Sequence, residues 1–177
     1  MEIRRATQED FERVMEIYAY AREFMAANGN PDQWGPTKWP HPEIIQEDIE
    51  EGRGFVVENG GRVIGSFAFI WGPDHTYDHI EDGEWLDDSR YAVIHRMAGD
   101  GSVKGIGEFI LNWAYEKSGG HLRIDTKPEN KVVRNLAEKL GFIPCGIIYV
   151  IEDDNPRIAL EKSKAAWREA GYVCGIS

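Results

Sequence analysis

Apolar residues in this chain recur in two rhythms, and the switches between them mark out its elements. Ile3-Arg4-Arg5 reads as a short first strand. Thr7 then offers an N-cap, with Asp10 at the capping-box position where Glu or Gln is usual. Phe11, Val14, Met15 and Tyr18 fall three and four apart, which gives a helix one buried face. Asn28-Gly29-Asn30-Pro31 ends that helix. Residues 33–40 form a loop holding Trp34 and Trp39. A second helix is expected from Pro42 to about Glu51, with Ile44, Ile45 and Ile49 inward. Phe55-Val56-Val57-Glu58 and residues 63–70 then read as strands joined by Asn59-Gly60-Gly61, a tight-hairpin sequence.

The second half alternates. Tyr91 to Ala98 reads as a strand, and Ile106, Phe109, Ile110 and Trp113 recur at helical spacing. Ser118-Gly119-Gly120 breaks the chain before a short strand, Leu122-Arg123-Ile124-Asp125. Val132, Val133, Leu136 and Leu140 mark another helix, closed by Gly141. A hydrophobic strand runs from Cys145 to Ile151, Asp153-Asp154-Asn155-Pro156 turns, and Arg157 to Glu161 is a final strand. The tail, with Trp167, Tyr172 and Val173, is expected to pack back on the core. The order is strand, two helices, three strands, helix, strand, helix, two strands, which describes an α/β (α+β) chain with a mixed sheet covered by helices. At 177 residues it is expected to form one domain, spanning residues 1–177.

Composition narrows the function. A net charge of −11 argues against a nucleic-acid partner, because phosphate backbones require clustered Lys and Arg. No apolar run is long enough to cross a bilayer, so no membrane partner is expected. The first residues lack the apolar segment of a secretory signal, and Cys145 and Cys174 form no disulfide framework. Reduced thiols in the cytoplasm are the simplest reading. The charge is uneven: Asp74, Asp78, Glu81, Asp82, Glu84, Asp87 and Asp88 share one segment with no Lys or Arg between Trp71 and Ser89. Such a loop could attract a cationic amine or be a solvated connection.

The chemistry concentrates in Gly99-Asp100-Gly101-Ser102-Val103-Lys104-Gly105, between a strand and a helix. A glycine-rich turn of this kind offers backbone N–H groups at a positive helix end, which suits an anion such as a diphosphate. Lys104 adds a mobile positive charge. The plain alternative is a tight turn that needs glycine for backbone reasons. The loop lacks the lysine–serine/threonine ending of a P-loop, and Gly105-Ile106-Gly107 has no Rossmann context.

Three stretches in this order carry a resemblance: His95-Arg96-Met97-Ala98 leading to Lys104-Gly105-Ile106-Gly107; Leu122 to Thr126 with Asn130; and Leu140-Gly141-Phe142 followed by Cys145 to Tyr149. The chain resembles the GCN5-related N-acetyltransferase (GNAT) family over nearly its whole length. The resemblance implies a mostly antiparallel twisted sheet of about seven strands flanked by four helices. It implies acetyl-CoA as co-substrate, lying where the fourth and fifth strands splay apart, with no metal. Arg96, Met97 and Ala98 would flank the pantetheine arm. Ser102, Val103, Lys104, Gly105, Ile106 and Gly107 would hold the diphosphate, and Asn130 would contact the arm. The acceptor would be the amine of a small molecule, peptide or protein. Family members often form homodimers. Two departures stand out. The common loop begins Arg-Gly where this one has Ser102 and Val103, and the tyrosine that often protonates the departing thiolate is replaced by Ala137.

That leaves the proton-transfer groups open. Tyr149 is a candidate acid, or a half-buried sheet tyrosine. His95 has the right pKa class for a base, or points into the core. Glu84, with Asp87 nearby, could deprotonate an amine through ordered water, or be a solvated carboxylate. Trp34 and Trp39, with Tyr149, could line an acceptor pocket, or the tryptophans could cover the helix pair. His75 and His79 are four apart, but Gly72-Pro73 argues for a loop rather than a zinc-binding helix. Cys145 reads as a small buried hydrophobe. The rival to an enzyme is a non-catalytic acyl-CoA sensor or partner module on the same fold.

Overall fold

The structure, a computed structural model, describes residues 1–150 and 155–165. Its strands are β1 (Glu2–Arg5), β2 (Gly54–Asn59), β3 (Arg62–Trp71), β4 (Ala92–Gly99), β5 (His121–Thr126), β6 (Ile143–Tyr149) and β7 (Pro156–Ser163). Its helices are α1 (Phe11–Ala27), α2 (Pro42–Glu50), α3 (Ile106–Lys117) and α4 (Lys131–Lys139). The strands form one mixed, seven-stranded open sheet in the order β1-β2-β3-β4-β5-β7-β6, flanked by the four helices. The fold class and element order expected from periodicity are therefore present. No helix among the described residues is long and apolar enough to cross a membrane. Ile151, Asp153, Asp154, Trp167, Tyr172, Val173 and Cys174 lie outside the described residues.

By contact density the chain divides into two compact units. The first comprises Met1–Ile70 and Ile94–Asn112. Thr7 and Asp10 form the expected capping box on a 3₁₀ turn that leads into α1, with the Thr7 N–H donating to Asp10 Oδ2 at 2.8 Å. Val14, Ile17, Tyr18 and Ala21 give α1 its buried stripe, at spacings of three and four. They meet Ile45 of α2 and Val56, Val63 and Ala98 of the sheet in one core cluster. Trp34 closes that cluster, edge-on to Tyr18 with ring centroids 5.9 Å apart. β1 and β3 both pair antiparallel with β2.

The second unit comprises Trp71–Val93 and the chain from Trp113 onward. β5 and β6 flank β7, both antiparallel to it. Its core cluster is Tyr77, Val93, Ile148 and Ala159, with Ile80, Trp85 and Tyr91 packed against it. The acidic segment is docked on that core. Glu81 bridges Ile147, and Asp87 accepts a hydrogen bond from the Ser163 hydroxyl. Beneath it lies a buried ionic network. The Glu161 carboxylate, fully buried, contacts His121 Nε2 and accepts from Arg123 Nε at 3.0 Å and from the Leu86 N–H at 2.5 Å. The Arg123 guanidinium sits between the rings of Trp85 and Tyr91, at 4.1 and 3.9 Å, and donates to the Asp87 carbonyl.

Two local expectations change. Val132 is 55% exposed, and Ala137 takes the buried position of α4. Val133, Leu136 and Leu140 keep the expected inward face, Ala137 lies at its centre, and Val132 falls outside it. β6 begins at Ile143 and ends at Tyr149, two residues earlier at each end than the hydrophobic run.

Candidate active site

The β4–loop–α3 segment carries the candidate chemistry. β4 pairs in parallel with β5 through Ala92–Leu122 and Val93–Arg123. Three residues further along β4, Arg96 adopts φ 56°, a left-handed conformation in the middle of a strand. For a residue with a Cβ this costs on the order of 1–3 kcal/mol and persists only where surrounding contacts fix it. Those contacts are present. Arg96 Nε and Nη2 form a two-pronged pair with the Asp48 carboxylate of α2 at 3.0 and 2.9 Å, with the side chains 10% and 5% exposed. The Tyr18 hydroxyl of α1 donates to the Arg96 carbonyl at 2.9 Å. Burial pushes the Asp48 carboxyl above its usual range against the pull of Arg96, Arg53 and His95. Burial also pushes the Tyr18 phenol up to about 12.

The loop that follows is pinned at its start. The Asp100 N–H donates to the Ile64 carbonyl at 2.9 Å. Asp100 Oδ1 accepts from the N–H and hydroxyl of Ser102, and Oδ2 from Arg13 at 2.5 Å and Arg62 at 3.1 Å. Burial disfavours this carboxylate, but the Ser102 hydrogen bonds and the two arginines outweigh it and hold its pKa below the usual range. Gly101 has φ 75° and lies under the Tyr20 hydroxyl, where a Cβ would have no room. Gly105 has φ 85° and open space where a Cβ would stand. The Phe109 N–H reaches back to the Gly105 carbonyl at 3.0 Å, so Gly105 opens α3 and the amides of Ile106 and Gly107 precede any intrahelical acceptor. Lys104 is exposed beside them. Opening amides, an uncovered glycine and an exposed ammonium together could cradle an anion.

The model of the acetyltransferase (GNAT) domain matches residues 1–143. The chain belongs to the GNAT acetyltransferase family. A GNAT-family acetyltransferase from Streptococcus agalactiae is 30% identical, with a TM-score of 0.83 over 92% of this chain and 95% of that one. A PaiA N-acetyltransferase from Thermoplasma acidophilum, solved in complex with coenzyme A, shares the fold at 18% identity and a TM-score of 0.63, over 92% and 98% of the two chains. A ribosomal-protein-alanine N-acetyltransferase from Brucella melitensis does so at 19% and 0.60, over 92% and 99%. Comparison with curated proteins finds no match.

In this GNAT protein the residues singled out from sequence fall into three groups. Arg96, Met97 and Ala98, with Val103, Lys104, Gly105, Ile106 and Gly107, form the continuous β4–loop–α3 segment. Ser102 belongs to it too, but its N–H is already bonded to Asp100. His95 is half-buried on β4. Trp34 is only 8% exposed and packed on Tyr18, and Trp39 packs against the same cluster while its carbonyl accepts from Arg22 at 3.4 Å. In the second unit, Asn130 caps α4, its Oδ1 accepting from the Val133 N–H at 3.2 Å. Tyr149 is 41% exposed at the end of β6, and Glu84 is exposed on the acidic segment. The Cys145 thiol is pushed up to about 12 by burial, with Glu161 adding to the effect, which suits a packing residue. His75 and His79 bond Asp78 and Glu81, and no group of three or more metal-ligating side chains exists among the described residues.

Asp48 and Tyr18 were not among the candidates. A single aspartate within Gln46-Glu47-Asp48-Ile49-Glu50 looks like one more solvated carboxylate. The available signal was its position four residues after Ile44 and three after Ile45, on the inward face of that helix.

Proposed function

We propose that the protein is an N-acetyltransferase that moves an acetyl group from acetyl-CoA to a primary amine. One observation carries the reading: in a GNAT chain, a strand kinked at Arg96 runs through a glycine-rich loop into helix-opening amides beside Lys104. The diphosphate of the co-substrate fits that cradle, because Gly105 leaves it uncovered and Arg13 and Arg62 neutralise the Asp100 carboxylate at its edge. The coenzyme A complex of the Thermoplasma acidophilum protein supports the same ligand class. The acyl arm then lies along β4 beyond Val93.

The chemistry is direct aminolysis. The neutral amine nitrogen bonds to the thioester carbonyl carbon, the carbon–sulfur bond breaks, and the nitrogen loses a proton while the thiolate gains one. Backbone donors that hold the carbonyl stabilise the charge developing on its oxygen, and alignment of the amine supplies much of the remaining acceleration. His95, Glu84 and Tyr149 are the proton-transfer candidates carried forward, with a cationic small molecule or peptide as the acceptor class. A screen of polyamines, amino acids, aminoglycosides and peptide N-termini with acetyl-CoA, following free thiol, tests the reading. Amine-dependent thiol release with an acetylated product is expected, and no acyl-CoA binding by calorimetry overturns it.

A second reading has one observation in its favour. Ala137, fully buried, stands where many family members carry the tyrosine acid. A sensor that binds acyl-CoA without turnover predicts calorimetric binding and no product with any amine.

A further inference from the structure

The pair formed by Asp48 and Arg96 lies outside the residue roles assigned so far. It is buried and two-pronged, and it joins a helix to a strand 48 residues away. It also sits on the residue whose backbone is left-handed. A buried ion pair needs no such conformation, and the Arg123–Glu161 pair lies on a regular β5–β7 ladder where the two residues are register partners. The coincidence of charge pair and kink at Arg96 therefore calls for its own explanation.

The peptide geometry supplies it. The Tyr18 hydroxyl draws the Arg96 carbonyl toward α1. In a trans peptide the next N–H points the opposite way, so the Met97 N–H is aimed away from that helix. The Arg96 side chain is held by Asp48, with Arg53 Nε also 3.3 Å from the same carboxylate. Backbone and side chain of Arg96 are thus fixed from two helices at once. Asp48, Tyr18 and Ser66 also line a small cavity of about 10 Å³, room for about one water beside the clamp.

We infer that Asp48 and Tyr18 are positioning residues: the Asp48–Arg96 ion pair and the Tyr18 hydroxyl hold β4 in its left-handed kink, and the kink presents the Arg96–Met97 peptide to the acyl arm. The inference rests on the acetyl-CoA reading above. It assigns the Arg96 side chain to the backbone's conformation rather than to the ligand.

Glycine separates this role from a merely structural one, because it adopts positive φ without penalty while lacking the guanidinium. Coenzyme A affinity by calorimetry and kcat against KM for acetyl-CoA are measured for the wild type, Arg96→Ala and Arg96→Gly. Arg96→Ala is expected to weaken coenzyme A binding about tenfold, and Arg96→Gly to recover to within about threefold of wild type. If the pair serves stability alone, glycine is no better than alanine, since both strand the Asp48 charge and glycine adds chain entropy. The same comparison in an Asp48→Asn background, which removes that stranded charge, keeps the test readable where a single variant folds poorly. The three-bond amide–Hα coupling at residue 96 gives the geometry directly: left-handed in wild type and Arg96→Gly, extended in Arg96→Ala. Wild-type binding with equal losses in Arg96→Ala and Arg96→Gly overturns the clamp alone. A wild type that binds no coenzyme A overturns the functional reading, and the positioning role falls with it.

Discussion

Each unit of this protein buries an arginine against a carboxylate, and the two pairs differ in what surrounds them. In the second unit, Arg123 lies between two aromatic rings and meets a Glu161 that also receives His121 and a backbone N–H. The β5–β7 ladder that carries the pair is regular, and the network secures the acidic segment through Leu86 and Asp87. In the first unit, Arg96 meets Asp48 across a strand bent into a sparsely populated conformation, next to a loop with an uncovered glycine. Burial and charge pairing are alike in the two places. A left-handed backbone at the paired arginine itself belongs to the first pair alone, and it distinguishes a candidate site from a staple.

Breaking the staple should produce the largest effect. Glu161→Gln leaves Arg123 and His121 facing a neutral group inside the protein, and unfolding free energy is expected to fall by about 3–5 kcal/mol by urea denaturation. Activity per folded molecule should survive. The Asp87 end of the network adds a pH dependence. Burial opposes its charge, but hydrogen bonds from Ser163 and Ser89 prevail and bring its pKa down to about 2. A carboxylate lowered in the folded state contributes stability that is complete above its unfolded pKa of about 3.9 and fades as pH falls toward the folded value. Asp87→Asn should therefore lose about 1–2 kcal/mol at pH 7, with the gap to wild type closing between about pH 4 and pH 2 in acid titrations of unfolding.

Smaller effects sharpen the other side. Tyr18→Phe removes the hydroxyl that holds the Arg96 carbonyl, and about 1 kcal/mol of stability should go with it. Unlike Glu161→Gln, it should also weaken coenzyme A binding, by about threefold in calorimetry. Lys104→Ala should leave the urea midpoint unchanged and weaken coenzyme A binding by about threefold at low salt, with the difference shrinking as ionic strength rises.

The sequence displayed the elements well because their periods are local. Val14 and Tyr18 sit on one helical face whatever the rest of the chain does, and Asn59-Gly60-Gly61 turns a hairpin by its own backbone preferences. The candidate site was only half legible for the same reason. The glycines at 101 and 105 are visible as letters, but the kink at Arg96 comes from a partner 48 residues away. Trp34 and Trp39 look alike in sequence, and only packing shows that Trp34 seals the core against Tyr18. Asn130 is visible as a letter, but only the fold shows that its Oδ1 caps α4. Asp100 shows the reverse: a carboxylate in an anion loop looks wrong until Arg13 and Arg62, distant along the chain, are seen to neutralise it.

A crystal structure of the intact protein with coenzyme A tests the central claim most directly. The account predicts the diphosphate within hydrogen-bond distance of the main-chain N–H groups between Val103 and Gly107, and the pantetheine arm along β4 past Arg96. A diphosphate bound elsewhere, with that turn closed over by its own side chains, would contradict it.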